Sequence, residues 1–97
     1  IIDICKANNI EIILSTFCHF LYNEIKNNPV HMVYEKNVNM ENIIIRDLAS
    51  KNNITCVDNA NLISKKEENF VDSIHFTPTG MKAIAANISK AIIELNN

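Results

Sequence analysis

The residues best suited to chemistry stand together near the C-terminus, in Asp72-Ser73-Ile74-His75. A carboxylate placed three residues before an imidazole can turn back and accept the proton on Nδ1 of the ring. That bond fixes the tautomer, stabilises the imidazolium formed when the ring takes a proton, and leaves Nε2 free as a general base. Such a pair can draw a proton from a serine hydroxyl and return it to a leaving group. The same residues have a plainer use, with Asp72 capping a turn and His75 lying on the surface.

Other groups have less support from their surroundings. Ser15, Ser50, Ser64, Ser73 and Ser89 lack the Gly-x-Ser-x-Gly elbow that would expose a nucleophile, and Ser73 reads as loop filler. His19 and His31 have no partner at metal-ligand spacing and read as loop or surface residues. Cys5, Cys18 and Cys56 are odd in number and form no Cys-x-x-Cys, which excludes a dense disulfide framework and a closed zinc site. They read as small, partly buried thiols, compatible with a reducing or an oxidising compartment. Neither a metal nor another cofactor is expected.

The elements that must position Asp72 and His75 alternate along the chain. Residues 1–8 end a helix, and Asn8-Asn9 breaks it. Residues 10–15, Ile-Glu-Ile-Ile-Leu-Ser, read as a strand buried on both faces. Thr16, Phe17 and Phe20 leave that strand's C-terminal end, where α/β proteins gather their ligands. With Leu21 and Tyr22, Phe17 and Phe20 could wall an acyl or alcohol pocket or simply cover the sheet. Residues 23–38 contain Asn27-Asn28-Pro29 and no clean period, and read mainly as loop.

A helix follows from Met40, capped by Asn39, with Met40, Ile44, Ile45, Leu48 and Ala49 on one face. Residues 54–58 make the second strand, and a polar connection runs to about Asn69. Thr77 suits the N-cap of the last helix and Pro78 its first position. Gly80, the only glycine, costs helix stability in that first turn unless another backbone approaches too closely for a side chain. Met81, Ile84, Ala85, Ile88, Ile92 and Leu95 form the helix's apolar stripe. The order implies βαβ units on a parallel sheet, with both strands interior. Two strands make a poor sheet alone, and the chain opens as if inside a helix, so it reads as part of a larger domain.

Asp72-Ser73-Ile74-His75-Phe76-Thr77-Pro78-Thr79-Gly80 resembles the final block of the SGNH (GDSL) hydrolase family: Asp-x-x-His, an aromatic or aliphatic residue, a capping residue and a nearby Gly. Residues 12–16 are similar to that family's fourth strand, 42–49 to the helix before its last strand, and 54–58 to the last strand with its terminal Asp. The resemblance covers nearly the whole chain, and only the final block is diagnostic. It implies a three-layer α/β/α flavodoxin-like domain, of which residues 1–97 are the C-terminal portion. It also implies ester hydrolysis, with Asp72 and His75 completing a triad and a small-molecule acyl ester as substrate. The family's Gly-Asp-Ser block and its oxyanion Gly and Asn are missing, since no Gly precedes Gly80. The chain is therefore expected to need the remainder of its own domain for the sheet and the nucleophile, and to be inactive alone. The competing expectation is a non-catalytic flavodoxin-like or degenerate hydrolase-like binding module.

Composition excludes other classes. Hydrophobic residues make up 47% and charged residues 21%, an ordinary globular balance that argues against disorder. The net charge is −2 and no basic stripe is present, so nucleic acid is not an expected partner. Lys65-Lys66-Glu67-Glu68 reads as a solvated loop. No apolar run reaches the length of a membrane span.

Overall fold

A computed structural model describes residues 1–96. Helix α1 (Ile2–Ala7) leads through Asn9, in the left-handed region at φ 57°, to strand β1 (Ile13–Ser15). Helix α2 (Pro29–Asn52) crosses to β2 (Thr55–Val57), followed by the short α3 (Asn59–Leu62), a 3-10 turn (Glu67–Asn69) and helix α4 (Pro78–Leu95). The strands are parallel neighbours, with Ile13 opposite Thr55, Leu14 opposite Cys56 and Ser15 opposite Val57. This is the α/β order expected from the alternation of apolar runs and helical periods.

The structure corrects several details. The paired strands are shorter than residues 10–15 and 54–58, and their side chains at Ile13 and Leu14 are half-buried rather than enclosed on both faces. Helix α2 begins at Pro29, not Met40. Asn28 caps it, its carboxamide oxygen accepting the Val30 amide at 2.9 Å, and Pro29 takes the first position. Asn-Pro was thus a helix start, which the absence of a clean apolar period had hidden.

The inward faces hold in part, at Ala49, Ile84 and Ile88, and differ in the rest. On α2, Asn42 and Ala49 are buried while Met40, Ile44 and Leu48 are exposed. On α4, Gly80 and Ala91 are buried and Ile84 and Ile88 half-buried, while Met81, Ile92 and Leu95 are exposed. Small and polar residues face the strands because α2 brings Asn42 to the backbone after β1 and α4 brings Gly80 against Asn69.

The core sits at the C-terminal ends of the strands, where Cys18, Ile63 and Phe70 are buried under Phe20, Phe76, Ala83 and Ile84. Cys5, Cys18 and Cys56 are free thiols.

Candidate active site

The loop that carries Asp72 and His75 is closed at its base. Phe70 and Phe76 form an antiparallel bridge with ring centroids 5.0 Å apart, and the Val71 amide donates to the His75 carbonyl at 2.8 Å. Thr77 caps α4 as its sequence suggested, its hydroxyl accepting the Gly80 amide at 3.1 Å and donating to the Glu68 carbonyl. A Cβ at Gly80 would collide with the Asn69 carbonyl oxygen, while the Thr77 amide donates to that same oxygen at 3.0 Å. The lone glycine therefore lets the first turn of α4 lie against the segment that enters the loop.

Within this frame the carboxylate of Asp72 is used at both oxygens. Oδ1 accepts the amides of Ile74 at 2.9 Å and His75 at 2.7 Å, and Oδ2 lies 2.7 Å from His75 Nδ1. The Ile74 amide, then the His75 ring and the His75 amide, hold the Asp72 carboxyl down to a pKa of about 2. An ionised carboxylate can only accept, so Nδ1 carries a proton, and in the neutral ring Nε2 is the nitrogen that keeps a lone pair. The side chain of His75 is 70% exposed and that of Asp72 47%. The pair can thus offer a base to a group approaching from outside.

The remaining residues singled out in the sequence part company. Thr16 is buried and structural, its hydroxyl donating to Asp58 Oδ1 at 2.8 Å and accepting the Ala60 amide at 2.9 Å. Phe17 is exposed and lines a cavity of about 300 Å³ with His19, Glu35, Arg46 and Lys65. Phe20 lines a different cavity, of about 370 Å³, with Tyr22, Phe70 and Val71 beside the Asp72 loop. Its amide donates to the Ser73 carbonyl at 2.9 Å, joining the segment after β1 to the middle of that loop. Ser73 is buried, and its carbonyl makes it an anchor rather than filler.

Two further groups add to the sequence reading. His19 lies on a loop as expected but is only 5% exposed, and among the described residues neither ring nitrogen has a partner. Burial lowers its pKa, opposed by Glu35 and aided by His31 and Lys65. Asp58 binds Arg46 through both oxygens (Arg46 Nε 3.1 Å, Nη2 2.9 Å) and takes the Asn61 amide group at 2.7 Å. Arg46, chiefly, holds the Asp58 carboxyl below its usual range. The pair joins α2 to the residue that follows β2, and no local spacing in the sequence links Arg46 with Asp58. Among the described residues, no three His, Cys, Asp or Glu side chains are placed to hold a metal ion. No described helix is long and apolar enough to cross a membrane.

Fold and site together define an α/β chain with a parallel sheet and an exposed carboxylate–imidazole pair on the loop before its last helix. Similar solved structures are a GDSL-like lipase from Bacteroides thetaiotaomicron and a candidate acylhydrolase from Bacteroides fragilis. The first is 24% identical with a TM-score of 0.73, the match covering 96% of this chain and 47% of the lipase. The second is 24% identical with a TM-score of 0.73, covering 99% of this chain and 48% of the other. The chain thus has the α/β fold of these proteins and spans about half their length. No family model matches the sequence, and no curated protein matches it.

Proposed function

We propose that this chain supplies the Asp–His part of a serine ester hydrolase of the SGNH type, with the nucleophile and oxyanion donors contributed by residues outside it. The observation that carries the proposal is the 2.7 Å contact between Asp72 Oδ2 and His75 Nδ1, with the other carboxylate oxygen pinned by two amides. The fold shared with a GDSL-like lipase supports it.

His75 Nε2 takes the proton of a serine hydroxyl as the serine oxygen bonds to the carbonyl carbon of an acyl ester. The tetrahedral oxyanion collapses, the carbon–oxygen bond to the alcohol breaks, and the alcohol leaves with the proton from His75. Water then attacks the acyl-serine, gives its proton to His75, and the acid departs as the serine recovers that proton. Asp72 keeps the ring in the tautomer with Nε2 free and stabilises each transient imidazolium. O-acetylated sugars, short-chain esters and lysolipids all have the required bond.

The test is kcat/KM on p-nitrophenyl acetate for the intact protein. His75→Ala is expected to lose about 10³-fold or more and Asp72→Asn about 10²- to 10⁴-fold with the fold retained. A serine-directed fluorophosphonate should label the intact protein and leave residues 1–97 alone unlabelled and inactive. If His75→Ala stays within about threefold of wild type, a barrier change below ~1 kcal/mol, the loop does no chemistry and the binding-module reading takes its place.

A further inference from the structure

Asn42 is 2% exposed in the middle of α2, an unusual place for a carboxamide. Its Oδ1 accepts the Phe17 amide at 2.8 Å, and its Nδ2 donates to the Phe17 carbonyl at 2.8 Å. The last rung of the sheet is the Thr16 amide donating to the Val57 carbonyl at 3.1 Å. Beyond it β2 turns away into α3, and the Asn42 side chain serves both backbone groups of the next residue as a neighbouring strand would.

The segment held in this way leads directly to the Asp72 loop. Cys18, the next residue, is buried against Ile63 and Phe70, and its thiol reaches the Asn59 carbonyl at 2.9 Å. Phe20 then grips the loop through its amide on the Ser73 carbonyl at 2.9 Å and its ring on Phe70, 5.2 Å between centroids. Ser73 lies between the carboxylate and the imidazole in sequence. The Asp72–His75 loop is local in its internal bonds, but its height above the strand ends depends on this segment.

We infer that Asn42 is a positioning residue for the Asp72–His75 pair, acting through Phe17–Phe20 and Ser73. The inference rests on the hydrolase reading for its effect on rate, and on geometry alone for its effect on the pair. An apolar side chain of similar size would leave the part-buried amide and carbonyl of Phe17 without these bonds, and the segment would move to pair them with water. An aspartate can replace both bonds only while protonated, since the neutral carboxyl donates one bond and accepts the other and the carboxylate can only accept.

Asn42→Leu and Asn42→Asp in the intact protein test this by two readouts. The first is the NMR signal of the His75 Nδ1 proton, which reports the bond to Asp72 whether or not the protein is an esterase. The second is kcat and KM on p-nitrophenyl acetate relative to wild type at each pH. Asn42→Leu should broaden or shift the Nδ1 signal and lower kcat at least tenfold with KM within about threefold. Asn42→Asp should approach wild type in both readouts at low pH and fall away as the new carboxyl ionises.

A folded Asn42→Leu with the Nδ1 signal unmoved and kcat within twofold overturns the inference. So does an Asn42→Asp to wild-type ratio that is flat with pH, which also decides the matter if the leucine variant does not fold. Should His75→Ala prove active, the hydrolase reading fails while the Nδ1 signal still judges Asn42.

Discussion

Between Asn69 and Gly80 nearly every polar group named above is answered inside the segment, whereas between Pro29 and Asn39 the side chains meet little of the chain. The Asp72 loop is closed by its own bridge, its own Asx-type bonds and the cap of the helix that follows. The first turns of α2 are helical because Asn28 and Pro29 start them, yet Val30, Met32, Val33 and Tyr34 are exposed. Pro29, Val30, Val33, Tyr34 and Asn37 line an open apolar hollow of about 470 Å³, to which neither Asp72 nor His75 contributes. One region draws its shape from neighbours in sequence. The other leaves its apolar side chains exposed, which supports the proposal that more of the sheet's domain covers this side.

The sharpest way to break that contrast is at Gly80. Gly80→Ala puts a methyl group into the Asn69 carbonyl oxygen, and backbone cannot swing aside as a long side chain could. The expected loss is about 2–3 kcal/mol, at the upper end for overpacking, despite the gain in helix propensity. Thermal unfolding of the intact protein measures it. An unchanged or raised midpoint would mean that the loop and α4 are not locked together.

The next effect sets an inward residue against an outward one. Ile88 is half-buried on the side of α4 that carries Gly80 and Ala91, and Ile88→Asp should cost about 2–3 kcal/mol by placing a charge there. Ile44 is exposed on α2, and Ile44→Asp in residues 1–97 alone should cost under about 0.5 kcal/mol, as at other surface sites. The isolated chain is expected to self-associate through its open sheet edge and exposed apolar faces, and Ile44→Asp should reduce this in sedimentation. In the intact protein the same change should instead be costly if a further layer, as we propose, lies over α2. Equal, small effects in both settings would leave that face solvent-exposed for good.

These outcomes bear on what the sequence could disclose. The Asp72–His75 bond, the Thr77 cap and the tight approach at Gly80 were legible because each is made by groups within a few residues, where spacing alone constrains geometry. The parallel pairing was legible from element order. The inward faces of α2 and α4 were legible only in part: Ala49, Ile84 and Ile88 obey the apolar period and are buried or half-buried, but the period alone does not say which of its members the strands cover. Met40, Ile44 and Leu48 obey the period and point away from the strands, while Asn42 breaks it and points inward. The Arg46–Asp58 pair, the Asn42 clamp and the burial of His19 join residues far apart in the chain, and no local pattern announces them.

The smallest expected effect comes from His19, which belongs to neither kind of region: it is buried, yet its ring has no bonded partner. A neutral imidazole suits such a place, and burial holds its pKa below the ordinary 6.5. The unfolded chain therefore binds a proton near pH 6.5 that the folded chain refuses. Stability from this residue is full above pH 6.5 and is lost as pH falls from there toward the lower folded value, below which it changes no further. One proton sets the ceiling on the slope, about 1.4 kcal/mol per pH unit. Glu35 flattens it by favouring the charged ring, and His31 and Lys65 steepen it. Asp72 acts in a separate window: its carboxyl is depressed to about 2, so its contribution persists above the usual carboxylate value of 3.8 and is lost only as pH falls through about 2. Denaturant unfolding of the intact protein from pH 7.5 to 5 should then show wild type weakening with acid and His19→Leu weakening less. A His19→Leu variant with the full acid slope would mean that the ring reaches water or a partner before the fold opens, and that its burial beside α2 is not maintained in solution.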